Sequence, residues 1–387
     1  MFLVNYRRAS SRLVCGIRTL LGDCHAGSRL ASGIHTILGD CHASSRLASG
    51  IHTILGDKAV AVCIATAFLS MPLAAQPFAY RDVNKGRELG GAASFAYISN
   101  QLSDSVSVID TATGSVVDTI AVPGKPAGVA VAPDGKKVYV STPEAKGFAV
   151  VDTKKREVIA NVAVNDGALG ITVGPDGKRI YVADWYKNTV SVIAADSLQT
   201  IKTIAVGESP SGLVVSPDNR WLYVANRISN SVSRIDLKTL TVNKTAQVGT
   251  HPFGLTIDAR GERIYVANVK SDDVTVVETA RMKPIATVKV NMLPYATALA
   301  LNDSRLLVTN QDDGSVSVID TETLKEIALI TVGTKPEGIS THPDDRHVYV
   351  ANWFDGTVSV IDARTLKLID TIQTGEGSRA FGQFMGK

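Results

Sequence analysis

The chain has 387 residues, is 45% hydrophobic, and carries 40 Lys and Arg against 37 Asp and Glu, a formal charge of +3. The excess is local: residues 1–75 hold seven basic and three acidic side chains, leaving 33 basic and 34 acidic residues beyond them. That balance makes nucleic acid an unlikely partner, because such binders draw their affinity from neutralising phosphates. All four cysteines, Cys15, Cys24, Cys41 and Cys63, lie near the start, which excludes thiolate catalysis and cysteine metal ligation from the later chain.

Residues 12–57 repeat with a period of 17, as Arg12, Arg29 and Arg46, Gly16, Gly33 and Gly50, and Asp23, Asp40 and Asp57 show. The copies are nearly identical, as after recent tandem duplication. Residues 1–57 are therefore expected to be a repetitive extension, unstructured or not translated. Cys24-His25 and Cys41-His42 lack the two close pairs of a zinc site. Lys58 then opens an apolar run, Ala59 to Leu69, that ends in small residues at Ala74 and Ala75. This is the pattern of a secretory signal peptide over 58–75, too short to span a bilayer. Cleavage near Ala75 would give a periplasmic or secreted protein with no transmembrane segment in the mature chain. Residues 76–94 read as a linker.

From residue 95 to the end one pattern recurs every 42 residues, with Tyr97, Tyr139, Tyr181, Tyr223, Tyr265, Leu307 and Tyr349 in equivalent places. Each unit holds four short segments of period-2 hydrophobicity. Turns such as Pro133-Asp134-Gly135-Lys136 separate the first from the second, Pro fixing φ and Gly supplying positive φ. The third, as in Ser105-Val106-Ser107-Val108-Ile109, alternates small hydroxyl and β-branched residues. Seven such units predict an all-β protein: a seven-bladed β-propeller with four-stranded blades over 95–387. The pattern begins on a second strand and ends on a first one. Ser378–Phe384 should thus complete the first blade and close the ring, removing exposed edges. A monomer is expected.

Ile180-Tyr181-Val182-Ala183, Leu222-Tyr223-Val224-Ala225-Asn226, Ile264-Tyr265-Val266-Ala267-Asn268 and Val348-Tyr349-Val350-Ala351-Asn352 resemble the YVTN family of β-propeller repeat proteins. The resemblance implies an exported or cell-surface protein used for binding. The wider group is similar to propeller lactonases and to the haem-d1 domain of nitrite reductase, so it also implies an alternative: an enzyme or cofactor protein with a metal or haem in the central channel. Fold likeness does not choose between them.

In this connectivity the turn leading into each first strand and the loop after each second strand share one face, around the channel mouth. There the repeats diverge most. Trp185, Tyr186, Trp353 and Phe354 stand out in the loops, joined by Arg227, His251, Phe253, Tyr295 and Arg379. Aromatic side chains mixed with cations at a concave mouth suit a protein, glycan or small ligand. Asn100, Asn226, Asn268, Asn310 and Asn352 recur at the end of the second strand, where each is expected to satisfy its own turn. No catalytic residue, metal ligand or cofactor is predicted, for no Ser-His-Asp grouping, phosphate loop or HExxH is legible. Whether Asp184, Glu208, Glu337 and Asp355 approach one another at the mouth is left open by spacing. The reading is an exported binding or scaffold protein.

Overall fold

The computed structural model describes residues 94–164 and 166–386. The repetitive extension, the signal peptide and almost all of the linker lie outside the described residues. Within them are seven four-stranded antiparallel sheets, each a blade. Inner strands of neighbouring blades touch one another, so they surround a common axis. The described residues contain one short 3-10 turn, Pro143–Ala145, and no helix long and apolar enough to cross a membrane.

Blade 4 shows how the sequence builds each unit. The strands Pro210–Val215, Trp221–Asn226, Ser231–Asp236 and Thr241–Gln247 run in that order from axis to rim. The second strand is buried on both faces, between its own blade and its neighbours, and its Tyr223 is almost wholly enclosed. Tyr139, Tyr181, Tyr265 and Tyr349 are enclosed alike. Burial of each contributes about 1.5–3 kcal/mol, and it pushes the Tyr139 phenol up to about 12. The outermost strand is exposed except at Ala246. Third and outer strands slip by one residue at the same place in every blade, as between Arg234 and Ile235. Such a bulge adds local twist, which a wedge-shaped blade requires.

The five expected asparagines do more than close turns. Asn226 Nδ2 donates to Ser231 Oγ (3.1 Å) and Ser233 Oγ (2.9 Å), and Asn100 and Asn310 repeat the pair. The hydroxyls that alternate along the third strand are thus acceptors for the amide that ends the second. This corrects the expectation that each asparagine serves chiefly its own turn backbone.

The chain's last segment closes the ring, by a longer route than expected. Regular pairing is confined to Met385–Gly386, opposite Ala96 and Phe95. Upstream, Arg379 N donates to Ser99 O (2.8 Å) and Tyr97 N to Phe384 O (2.9 Å). Ser378 bridges Asn100. The reason for the irregularity is the side of blade 2: Phe381 also bridges Gly128 and accepts from Val129 N (3.0 Å). One segment cannot satisfy both neighbours as a straight strand.

Candidate functional site at the channel mouth

The first and second strands of a blade are out of register by one residue at the repeat position that reads Pro-x-Gly in blades 2, 4, 5 and 7, as between Pro252 and Leu255 of blade 5. The same slip occurs in blades 3, 4, 6 and 7. A bulge re-aims a side chain, and here the one affected is x. The glycine after it permits the close approach of the next inner strand: a Cβ on Gly170 would lie 1.8 Å from Ser211 O, and on Gly338 2.2 Å from Ala380 O. The x residues form one ring in blade order, Ala127, Leu169, Ser211, Phe253, Tyr295, Glu337 and Arg379.

Contacts between these residues skip blades, which is possible only across the axis. Ala127 of blade 2 shares an apolar cluster with Phe253, Tyr295 and Phe381. The Phe253 ring lies 4.0 Å from Tyr295 and 5.5 Å from Phe381, centroid to centroid. Trp185, from blade 3, reaches past blade 4 to Phe253 at 6.3 Å. Arg379 Nη2 donates to Tyr295 Oη (2.7 Å). Its Nε stands 2.7 Å from Glu337 Oε2, a close ion contact, while Gln311 Nε2 donates to Glu337 Oε1 (2.7 Å).

Burial governs the titration of this network. It pushes the Glu337 carboxyl up, against the pull of Arg379 and Gln311. It lifts the Tyr295 phenol above its ordinary range. Burial works against the Arg379 charge too, but Glu337 and Tyr295 outweigh it and hold the guanidinium above its usual value. Arg227, stacked 5.4 Å over Trp185, is drawn down by burial. His251 is drawn down by burial and then by Arg227 and Lys270, so it is neutral at pH 7.

Lead-in turns and second-strand loops do meet on one face. Trp185 N donates to Gly167 O (2.9 Å), Arg227 N to Ser209 O (3.1 Å), Val269 N to His251 O (3.0 Å) and Trp353 N to Lys335 O (2.9 Å). His251 adopts a left-handed φ of 56°, a conformation costing about 1–2 kcal/mol. Its N–H is caught by Asn230 Oδ1 of the preceding blade (2.9 Å).

The structure therefore gathers Trp185, Arg227, Phe253, Tyr295 and Arg379 into one contiguous group. Trp353 instead reaches the adjoining blade, its Nε1 donating to Gln101 Oε1 of blade 1 (3.1 Å). Tyr186 and Phe354 project into solvent, 64% and 68% exposed. Three of the carboxylates have other partners: Asp184 Oδ1 accepts from Tyr186 N and Lys187 N, Asp355 Oδ2 from Thr334 N, and Glu337 faces Arg379. Sequence reading passed over Gln311 and Phe381. The signal for the ring was present, since its members recur every 42 residues, four of them, Ala127, Ser211, Phe253 and Glu337, between Pro and Gly.

Three family models match parts of the chain. A seven-bladed β-propeller lactonase model matches residues 148–286, a cytochrome D1 haem domain residues 265–380, and a YNCE-like β-propeller residues 83–172. Comparison with curated protein sequences finds no match. Among solved structures, a chain of Kuenenia stuttgartiensis hydrazine synthase is 25% identical, with a TM-score of 0.64 over 69% of this chain and 91% of that one. A functionally unknown protein from Desulfotomaculum acetoxidans is 15% identical, TM-score 0.65, over 74% of this chain and 99% of the other, a likeness of fold alone. The haem of the cytochrome D1 match does not fit the mouth: the Phe253, Tyr295 and Phe381 rings pack together there, and its one imidazole among the described residues is His251. What the three models have in common with the chain places it among the β-propeller proteins.

Proposed function

We propose that this is an exported binding protein whose mouth face engages a protein, glycan or small ligand. The observation that carries the reading is the asymmetry of the mouth. Aromatic and cationic side chains crowd one arc of the ring, and Tyr186 and Phe354 are largely exposed beside it. Large solvent-exposed rings are costly to keep in water and supply contact area at low entropic cost when a partner covers them. The only strong acid–base pair at the ring, Glu337 with Arg379, is already committed to itself, which favours binding over hydrolysis.

Peptide and glycan arrays probed with the parent protein and a Tyr186→Ala, Trp353→Ala, Phe354→Ala variant test the reading. Ligands retained by the parent should bind the variant at least tenfold more weakly. Lactone turnover, or a Soret band in the purified protein, would replace it with the enzyme or cofactor alternative.

A further inference from the structure

On the face opposite the mouth, each blade turns from inner to second strand, and four of these turns share one design. Asp134, Asp176, Asp218 and Asp344 each accept the N–H two residues on, at 2.9–3.1 Å. The aspartate is thus a structural feature of the repeat. Its flanks differ. Ala132, Gly174 and Ser216 precede the proline in blades 2 to 4, and Lys137, Arg179 and Trp221 open their second strands; in blade 7 both places are histidine, His342 and His347.

We infer that His342, Asp344 and His347 form a site for a divalent transition-metal ion, of which Zn2+ is the best match. One donor atom of each lies within 4.8 Å of the other two. His347 Nδ1 is 2.6 Å from Asp344 Oδ2, and His342 Nδ1 is 3.1 Å from Asp344 Oδ1. Three donors each about 2 Å from one tetrahedral ion stand roughly 3.3 Å apart, a spacing that lies between the 2.6 Å contact and the 4.8 Å limit of this cluster.

The hydrogen bonds assign the tautomer. Asp344 N donates to His342 Nδ1 (3.2 Å), so Nδ1 carries a lone pair. His342 Nε2–H is then free to donate to Ser94 Oγ (2.5 Å) and Thr111 Oγ1 (3.2 Å), the outer contact that orients a metal-bound imidazole. Two imidazoles and one carboxylate suit Zn2+ better than Mg2+ or Ca2+, and the half-exposed Asp344 leaves water access for a further position. Ser94 and Thr111 belong to blade 1, so an ion here would brace blade 7 against blade 1 beside the end of the closing strand, Met385–Gly386, which pairs with Ala96 and Phe95.

The test uses the full chain stripped with a chelator, in parent form and as the His342→Ala, His347→Lys variant, which restores the residues of blade 2. Cysteines and histidines near the N-terminus are common to both proteins and cancel in the comparison. Calorimetric titration with Zn2+ should show one more equivalent bound by the parent, and Zn2+ should raise its melting temperature by several degrees more. Asp344→Asn, which keeps a side-chain acceptor in the turn, should weaken that equivalent at least tenfold. Equal stoichiometry in parent and double variant would overturn the site.

Discussion

Two rings of side chains run round this propeller with the same period, and they behave in opposite ways. The second-strand ring is Tyr in six blades and Leu307 in the other, all buried. The bulge ring has seven positions and seven different residues, from Ala127 to Arg379. Every blade meets the tyrosine ring with the same neighbours, so one solution to the packing serves all. The bulge residue points towards the axis, where its surroundings are the other six. Periodic constancy therefore marks what each wedge needs, and periodic variation marks what the wedges do together.

Removing the segment that joins the two rings should have the largest effect. Deletion of 376–387 strips blade 1 of its inner strand and the mouth of Arg379 and Phe381. The expected product is insoluble, by sedimentation of expressed protein; a soluble truncation with one cooperative melt would show that closure is dispensable. Next comes alkali, which acts on the constant ring. Burial raises the phenols of Tyr97, Tyr139, Tyr181, Tyr223, Tyr265 and Tyr349 above the unfolded value of 10.0. A group whose folded pKa is raised binds more protons folded than unfolded, so stability is full below pH 10 and falls as pH climbs towards about 12. Phenolate absorbance should rise together with loss of the β-sheet circular dichroism signal. Ionisation of these tyrosines in an intact fold would contradict the packing.

Single substitutions compare the rings directly. Tyr265→Ala should cost about 3–5 kcal/mol, the range for emptying a large aromatic site. Arg379→Met should cost about 3 kcal/mol, since it leaves Glu337 buried without its partner. Urea unfolding measures both, and a negligible loss at Arg379 would mean that the mouth network is not held by charge.

The constant ring was legible in the sequence because packing repeats whatever it demands: the tyrosines and the turn residues return at one spacing, whereas the bonds from Asn226 to Ser231 and Ser233 were not foreseen. The mouth residues were legible as exceptions, but not their contacts. Nothing in the spacing says that Trp185 leans inward across blade 4 to Phe253 while Trp353 bonds sideways to Gln101 of blade 1. Arg234 makes the same point. It occupies a position that is Val108, Val192 or Val276 elsewhere, yet its guanidinium lies 4.2 Å over Trp221 and donates to Thr279 O (2.6 Å) of the next blade. Contacts between blades depend on side-chain direction, which a one-dimensional repeat does not record.

The finest discrimination is among the mouth aromatics themselves. Trp185 meets Phe253 and lies under Arg227; an aromatic pair and a cation–π contact contribute about 0.5–1.5 and 0.5–1 kcal/mol beyond burial. Trp185→Ala should therefore cost roughly 2 kcal/mol or more on those figures. Trp353→Ala gives up a hydrogen bond to Gln101, with a loss of about 1 kcal/mol. Tyr186→Ala and Phe354→Ala, in solvent, should each stay within about 0.5 kcal/mol of the parent. Thermal and urea unfolding of the four variants rank them. If Tyr186→Ala destabilised as much as Trp185→Ala, the outer rings would be part of the packing that holds the mouth together, and the surface offered to a partner would shrink to Arg227 and its neighbours.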